Sequence, residues 1–308
     1  MWLDIVYILV GFVLLIKGGD FLVEGAVSIA KRANLPPMVI GLTIVGFGTS
    51  SPELLVSIQA ALSGSSGIAI GNVVGSNIAN IALILGTAAI VKACTAKKMT
   101  LKVDMPFMLL VTALFVTIAM SGTISRLAGI LGFLLLCSFT IWEIKTNQTE
   151  ENNEDDNEPP MAVWKAIIVI ILSFAALVYG SDKLVEGASD IARMLGVSDR
   201  VIGLTIVAVG TSLPELFSSV AAARKGQTDM AIGNVVGSAI FNLLCVVGIS
   251  AAISPIYNTN DGFLTDYICM VALSGLLWFF LSTKKTLERW EGIVLVTIYV
   301  GYITYTVI

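Results

Sequence analysis

The chain has 308 residues, of which 56% are hydrophobic and only 13% charged, with no histidine, a formal net charge of -4 and a mean hydropathy of +0.90. A soluble domain carries about 25% charged residues, so simple solubility is excluded. Without histidine, Ser-His and Cys-His nucleophile pairs, histidine-ligated metal sites and haem ligated through histidine all lack a necessary part.

A membrane-spanning helix needs about 20 mostly apolar residues. Ten such stretches follow one another near 4–30, 35–62, 68–91, 103–121, 126–144, 162–193, 199–223, 230–254, 263–282 and 288–307. No small-residue cleavage site follows the first, which therefore reads as a retained span rather than a signal peptide. Between the fifth and sixth stretches, residues 147–160 (NQTEENNEDDNEPP) hold six carboxylates and no apolar residue, a solvated linker without the spacing of an EF-hand. Cys94, Cys137, Cys245 and Cys269 are scattered through apolar runs with no CxxC spacing and read as packed thiols. Trp2, Trp142, Trp164, Trp278 and Trp290 fall near the ends of stretches, as interfacial anchors do. There is no basic stripe for nucleic acid, so membrane lipid is the expected surrounding partner.

Lysine and arginine in short loops mark the cytoplasmic side. One side collects Lys31, Arg32, Lys92, Lys97, Lys98, Lys102, Lys145, Lys165, Arg224, Lys225, Lys284, Lys285 and Arg289, and the other only Arg126, Arg193 and Arg200. Both termini are therefore expected outside, in a cell (inner or plasma) membrane, with the acidic linker in the cytoplasm.

Displacing the sequence by 162 residues aligns it with itself. Val39–Val45 (VIGLTIV) matches 201–207, Gly48-Thr-Ser50 matches Gly210-Thr-Ser212, and Pro52-Glu-Leu54 matches Pro214-Glu-Leu216. Gly71-Asn-Val-Val-Gly-Ser76 recurs as Gly233-Asn-Val-Val-Gly-Ser238, and Asn80 as Asn242; residues 38–80 give 27 identities over 43 ungapped positions. The chain reads as a duplicated five-helix unit, with a first repeat at 1–146, the linker at 147–160 and a second repeat at 161–308. Because five is odd, the second unit enters the membrane from the opposite face, an inverted repeat of the kind secondary transporters use for alternating access. The expected fold is thus an all-α membrane protein of ten transmembrane helices, two inverted five-helix repeats with broken helices at a central ion site.

The repeated residues are polar, which packing alone does not explain. Glu53 and Glu215 sit mid-span, where an ionisable group costs about 2.5–3.5 kcal/mol on insertion scales, and only Arg200, Arg224 and Lys225, at the ends of the repeated segments, are basic. A transported cation is the natural counter-charge. In GTSSPE and GTSLPE, Gly and Pro weaken the helical hydrogen-bond ladder and free carbonyl oxygens. Thr49, Ser50, Thr211 and Ser212 add hydroxyls, and Ser76, Asn80, Ser238 and Asn242 add oxygens from the next span of each half. A dry all-oxygen site favours Ca2+ or Na+ over Mg2+, which sheds water reluctantly. Two ionised glutamates match one Ca2+ or two Na+, and mutual exclusion at shared carboxylates is a physical basis for antiport.

GTSSPE with GNVVGSNIAN, and GTSLPE with GNVVGSAIFN, resemble the paired alpha-repeats of the sodium/calcium exchanger, or cation/calcium antiporter, superfamily. The resemblance implies a secondary antiporter, not an enzyme, without cofactor, that exchanges Na+ for Ca2+. It implies ion binding by Thr49, Ser50, Glu53, Ser76 and Asn80 and by Thr211, Ser212, Glu215, Ser238 and Asn242, with backbone carbonyls at Gly46 and Ala208. Potassium-dependent members, and some archaeal ones, carry Asp where this chain has Asn242, and Asn is the form in potassium-independent animal exchangers, so the resemblance also implies potassium independence.

Asp20 with Glu24, and Asp182 with Glu186, share helix faces at i,i+4 and are expected to reach interfacial water rather than line an ion path. A proton-driven calcium exchanger of the same fold is the alternative driver, and a passive channel the alternative class. An aspartyl intramembrane protease does not fit, because Gly18-Gly-Asp20 and Gly180-Ser-Asp182 are not GxGD.

Overall fold

The computed structural model describes residues 2–147, 160–197, 206, 208–257 and 263–307. Its helices are α1 (Trp2–Ala33), α2 (Pro37–Thr49), α3 (Ser51–Leu62), α4 (Ser66–Val91), α5 (Thr100–Met120), α6 (Arg126–Asn147), α7 (Val163–Met194), α8 (Ala208–Thr211), α9 (Leu213–Arg224), α10 (Thr228–Ile253), α11 (Leu264–Lys284) and α12 (Arg289–Val307). Seven of them are long and apolar enough to cross a membrane, and α2 with α3 makes an eighth if the pair, bent by 46°, is one span. The acidic run 148–159 and the stretch 198–205 lie outside the described residues.

Burial sorts these helices into a centre and a periphery. The most apolar windows of α4 and α10 are 78% and 83% buried, whereas that of α6 is only 17% buried. α4 and α10 are therefore enclosed by protein on nearly all sides, while α1, α6 and α7 turn leucines, isoleucines and phenylalanines outward. In water such a surface would drive aggregation, and in a bilayer it is the solvated face. All five tryptophans are exposed.

α1 and α7 stand one repeat apart and pack against each other along their length. Asp4, Gly11, Gly18 and Gly25 on α1 meet Gly187, Gly180, Ser173 and Ala166 on α7, so one helix ascends as the other descends. Small residues seven apart keep one stripe of each helix facing the other, and without side chains between them the backbones touch. A Cβ on Gly11 would stand 2.7 Å from the Gly180 carbonyl oxygen, and one on Gly187 2.5 Å from that of Asp4.

Two short antiparallel ribbons tie the halves together. β1 (Cys94–Thr95) pairs with β4 (Thr286–Leu287), and β2 (Thr123–Ile124) with β3 (Ile256–Tyr257). Basic residues gather around the first ribbon, where Lys97 meets Asp229 at 3.5 Å and Arg289 donates to the Val91 carbonyl at 3.3 Å. At the end of α1, Arg32 donates to the carbonyls of Pro160 and Met161. All four cysteines are free, and burial pushes the Cys94 thiol up to about 12, which leaves it an inert packing group.

Asp104 on α5 and Glu143 on α6 form a second acidic pair. Both are fully buried and bear on each other, and Phe107 stacks on Phe139 one turn away, with ring centroids 3.9 Å apart. Asn147 donates to one oxygen of Glu143 at 2.8 Å, while both oxygens of Asp104 and the other of Glu143 have no hydrogen-bond partner.

Candidate ion site

Each half breaks a helix in the same way. Ser50 joins α2 to α3 at φ -84°, ψ 9°, and Ser212 joins α8 to α9 at φ -92°, ψ 5°. Pro52 and Pro214 follow in the first turns of α3 and α9 and have no N–H to give, so the carbonyls of Gly48 and Gly210 lose their helical donors. Gly210 recovers one from the Ser181 hydroxyl. Both positions pack closely on α7, and a Cβ would stand 2.0 Å from the Phe174 ring at Gly48 and 2.2 Å from the Val185 side chain at Gly210, so either side chain would have to move. Glu53 and Glu215 then fall in the first turn of a 12-residue helix, where unpaired backbone N–H groups favour negative charge.

The elements cross over between the halves. α3, which carries Glu53, packs on a π-helical turn of α10 that begins at Asn242; α9, which carries Glu215, packs on a π-helical turn of α4 that begins at Asn80. Such turns interrupt the regular i→i+4 ladder and recur at functional sites.

Most of the sequence-expected residues converge here. Ser50 Oγ donates to Glu215 Oε1 at 3.0 Å, and Thr49 Oγ1 to the Val45 carbonyl at 3.0 Å. Ser238 Oγ lies 3.5 Å from the Gly46 carbonyl, and the Ser76 hydroxyl faces the Glu53 carboxylate. Ala208 opens α8, and Thr211 is half-buried at its end. The two glutamates are close enough to repel each other, and among the described residues no lysine or arginine pairs with either. Several polar atoms are buried without a hydrogen bond: both oxygens of Glu53, Glu215 Oε2, Ser212 Oγ, Asn80 Oδ1 and its Nδ2, and Asn242 Oδ1. Unsatisfied oxygens of this kind, each costing about 1–3 kcal/mol when left unpaired, are what a desolvated cation would complete.

Asp20, Glu24, Asp182 and Glu186 are not brought to the site. Lys225 holds Glu24 and donates to the Asp20 carbonyl, and Lys183 lies against Glu186 and Asp182 at partly exposed positions.

The sequence reading did not single out the asparagines behind the carboxylates. Asn72 Nδ2 donates to the Glu53 carbonyl at 3.0 Å and to Ser57 Oγ at 2.8 Å; Asn234 Nδ2 donates to Ser219 Oγ at 2.8 Å and Ser218 Oγ at 3.1 Å. Asn72 with Ser57 and Asn234 with Ser219 are themselves related by 162 residues. That pairing was the available signal.

A membrane bundle with two broken helices, two buried carboxylates and neutral oxygens around them defines a transporter for hard cations. The family model for sodium/calcium exchanger proteins matches residues 3–145 and 165–308, and the chain belongs to that family. Its members are secondary transporters, not enzymes. The chain is 39% identical to a putative antiporter, CaxA, of Alkalimonas amylolytica, and 36% identical to the sodium/calcium exchanger MaX1 of Methanosarcina acetivorans, each alignment covering 96% of both chains. It is also similar to the solved structure of the sodium-calcium exchanger NCX_Mj, with a TM-score of 0.86, 34% identity and 98% of each chain covered.

Proposed function

We propose that this protein exchanges Na+ for Ca2+ across the membrane by alternating access, without a requirement for K+. The observation that carries the reading is the pair Glu53 and Glu215, buried together with no basic partner among the described residues and with unsatisfied oxygens beside them. The proposed ligands are Glu53 and Glu215, the side chains of Thr49, Ser50, Ser76, Asn80, Thr211, Ser212, Ser238 and Asn242, and the carbonyls of Gly46 and Ala208. Two carboxylates neutralise one Ca2+, and the same oxygens serve Na+ when Ca2+ has left, so one ion displaces the other.

Ten spans in two inverted five-helix repeats, 1–146 and 161–308 about a linker at 147–160, are the architecture we infer. Antiparallel packing of α1 on α7, helices that occupy equivalent positions in the two halves, supports it. The clustering of Lys97 and Arg289 near one ribbon, with Arg32 against the end of the linker, supports a single cytoplasmic face and termini outside. Asn242, being neutral, leaves the site one negative charge short of what an additional K+ would call for.

The test is reconstitution in sodium-loaded liposomes diluted into sodium-free buffer, with radioactive calcium uptake followed over time. Uptake that needs the sodium gradient, is indifferent to K+ and is lost in Glu53→Gln with Glu215→Gln is expected. Uptake driven only by an imposed proton gradient would move the protein to proton-coupled exchange, and calcium flux without countertransport would make it a channel.

A further inference from the structure

We propose that Asn77 is a positioning residue that turns the side-chain carbonyl of Asn242 into the ion site, an inference that rests on the reading of that site given above. Asn242 Nδ2 donates to Asn77 Oδ1 at 3.2 Å, and both side chains are buried, with 1% or less of their surface exposed. A primary amide presents an oxygen on one side and an NH2 on the other, and only the oxygen attracts a cation. With its NH2 committed to Asn77, Asn242 keeps Oδ1 for the interior, where that oxygen has no other partner.

Asn77 is itself oriented. Its Nδ2 donates to the Met270 sulfur at 3.8 Å. A thioether accepts weakly and donates nothing, so reversing the Asn77 amide would set oxygen against sulfur and NH2 against NH2. Met270 thus selects the orientation of Asn77, and Asn77 that of Asn242.

The repeat supplies an internal control. Asn80 is the counterpart of Asn242 at the 162-residue offset, Met108 the counterpart of Met270, and Ala239 the counterpart of Asn77. Where alanine replaces the brace, both amide atoms of Asn80 are left without a hydrogen-bond partner. The two asparagines therefore differ in preorganisation, although both stand at the same place in the duplicated motif. Outer-shell partners of metal ligands change affinity by about 10–100-fold when removed.

The full-length protein in liposomes tests this through the calcium dependence of sodium-driven uptake. Asn77→Ala and the apolar, similarly sized Asn77→Leu are expected to raise KM for calcium about tenfold with little change in maximal rate. Asn77→Asp, which keeps an acceptor for Asn242, is expected to retain a KM at or below that of wild type. In an Asn242→Ala background, Asn77→Leu should add nothing, because no amide remains to orient. An unchanged KM in Asn77→Leu, or additive losses in the double variant, would overturn the proposal. So would failure of both apolar variants to fold while Asn77→Asp folds normally, since Asn77 would then be a structural brace. A wild-type protein without sodium-driven calcium uptake would instead reject the exchanger reading.

Discussion

Ser50 Oγ reaches across the molecule to donate to Glu215 at 3.0 Å, while the hydroxyl of its counterpart Ser212, also buried, makes no hydrogen bond, and both oxygens of Glu53 are unpaired. The two half-sites are built from the same residues but are not in the same state. A serine that satisfies one carboxylate and a serine that satisfies none is the kind of inequivalence that an exchange of conformations between repeats requires.

Removing the Ser50 hydroxyl takes away its 3.0 Å hydrogen bond to Glu215 Oε1. Ser50→Ala should lower the stability of the ion-free protein by about 1–3 kcal/mol, and Ser212→Ala should be close to neutral. Thermal unfolding of both variants in chelator checks this, and equal shifts would show that the inequivalence has no energetic content.

A ligand that binds only the folded protein stabilises it by about 2.7 kcal/mol at a hundredfold excess over Kd. Calcium should therefore raise the Tm of wild type, and Glu53→Gln with Glu215→Gln should abolish the rise, although the ion-free variant itself should be no less stable because two repelling carboxylates are gone. A calcium-dependent shift that survives in the double variant would place the dominant site elsewhere.

Gly11 and Gly180 lie at a close approach of α1 and α7, and a side chain at Gly11 strikes the carbonyl of Gly180 at 2.7 Å. Overpacking of this kind typically costs about 1–3 kcal/mol, so Gly11→Val should lower Tm and slow transport. Gly301→Val, where a Cβ meets nothing within 4 Å, is the control and should do neither.

Three carboxylate oxygens of Asp104 and Glu143 are buried and unpartnered. Asp104→Asn replaces one like charge by an amide that can donate to Glu143. It should raise Tm, by an amount equivalent to about 1–3 kcal/mol for the acceptor relieved, without changing KM for calcium; a fall in Tm would mean that the acid pair is matched to its surroundings as it stands.

Asn242→Asp adds a carboxylate to the ion site and also sets its second oxygen against Asn77 Oδ1. If the proposed potassium-independent exchange is right, transport by this variant should acquire a response to K+ or to pH, measured against wild type in the same liposome assay with each varied in turn. Indifference to both would remove charge at this position as the basis of the proposed potassium independence.

Much of this protein was legible before folding was considered. Glu53 and Glu215 announce themselves because a carboxylate within an apolar run is expensive and the same expense is incurred twice, 162 residues apart. Asn72 and Asn234 carried the same duplicated signal, but amides occur as packing residues too, and their role is visible only once Ser57 and Ser219 are seen at 2.8 Å. Asn77 had no signal of that kind, because alanine stands at the equivalent position.

What the sequence determined by itself was the class of environment, the repeat and the inventory of oxygens, since these follow from hydropathy, from an alignment of the chain with itself and from side-chain chemistry. The tertiary structure decided which oxygens face each other. Ser50 pairs with Glu215 rather than with its near neighbour Glu53, and Asn242 with Asn77, each across about 165 residues of chain. Contacts of that separation depend on how α3, α4, α9 and α10 are packed, and packing is set by close approach of backbones at glycines whose partners no local pattern names.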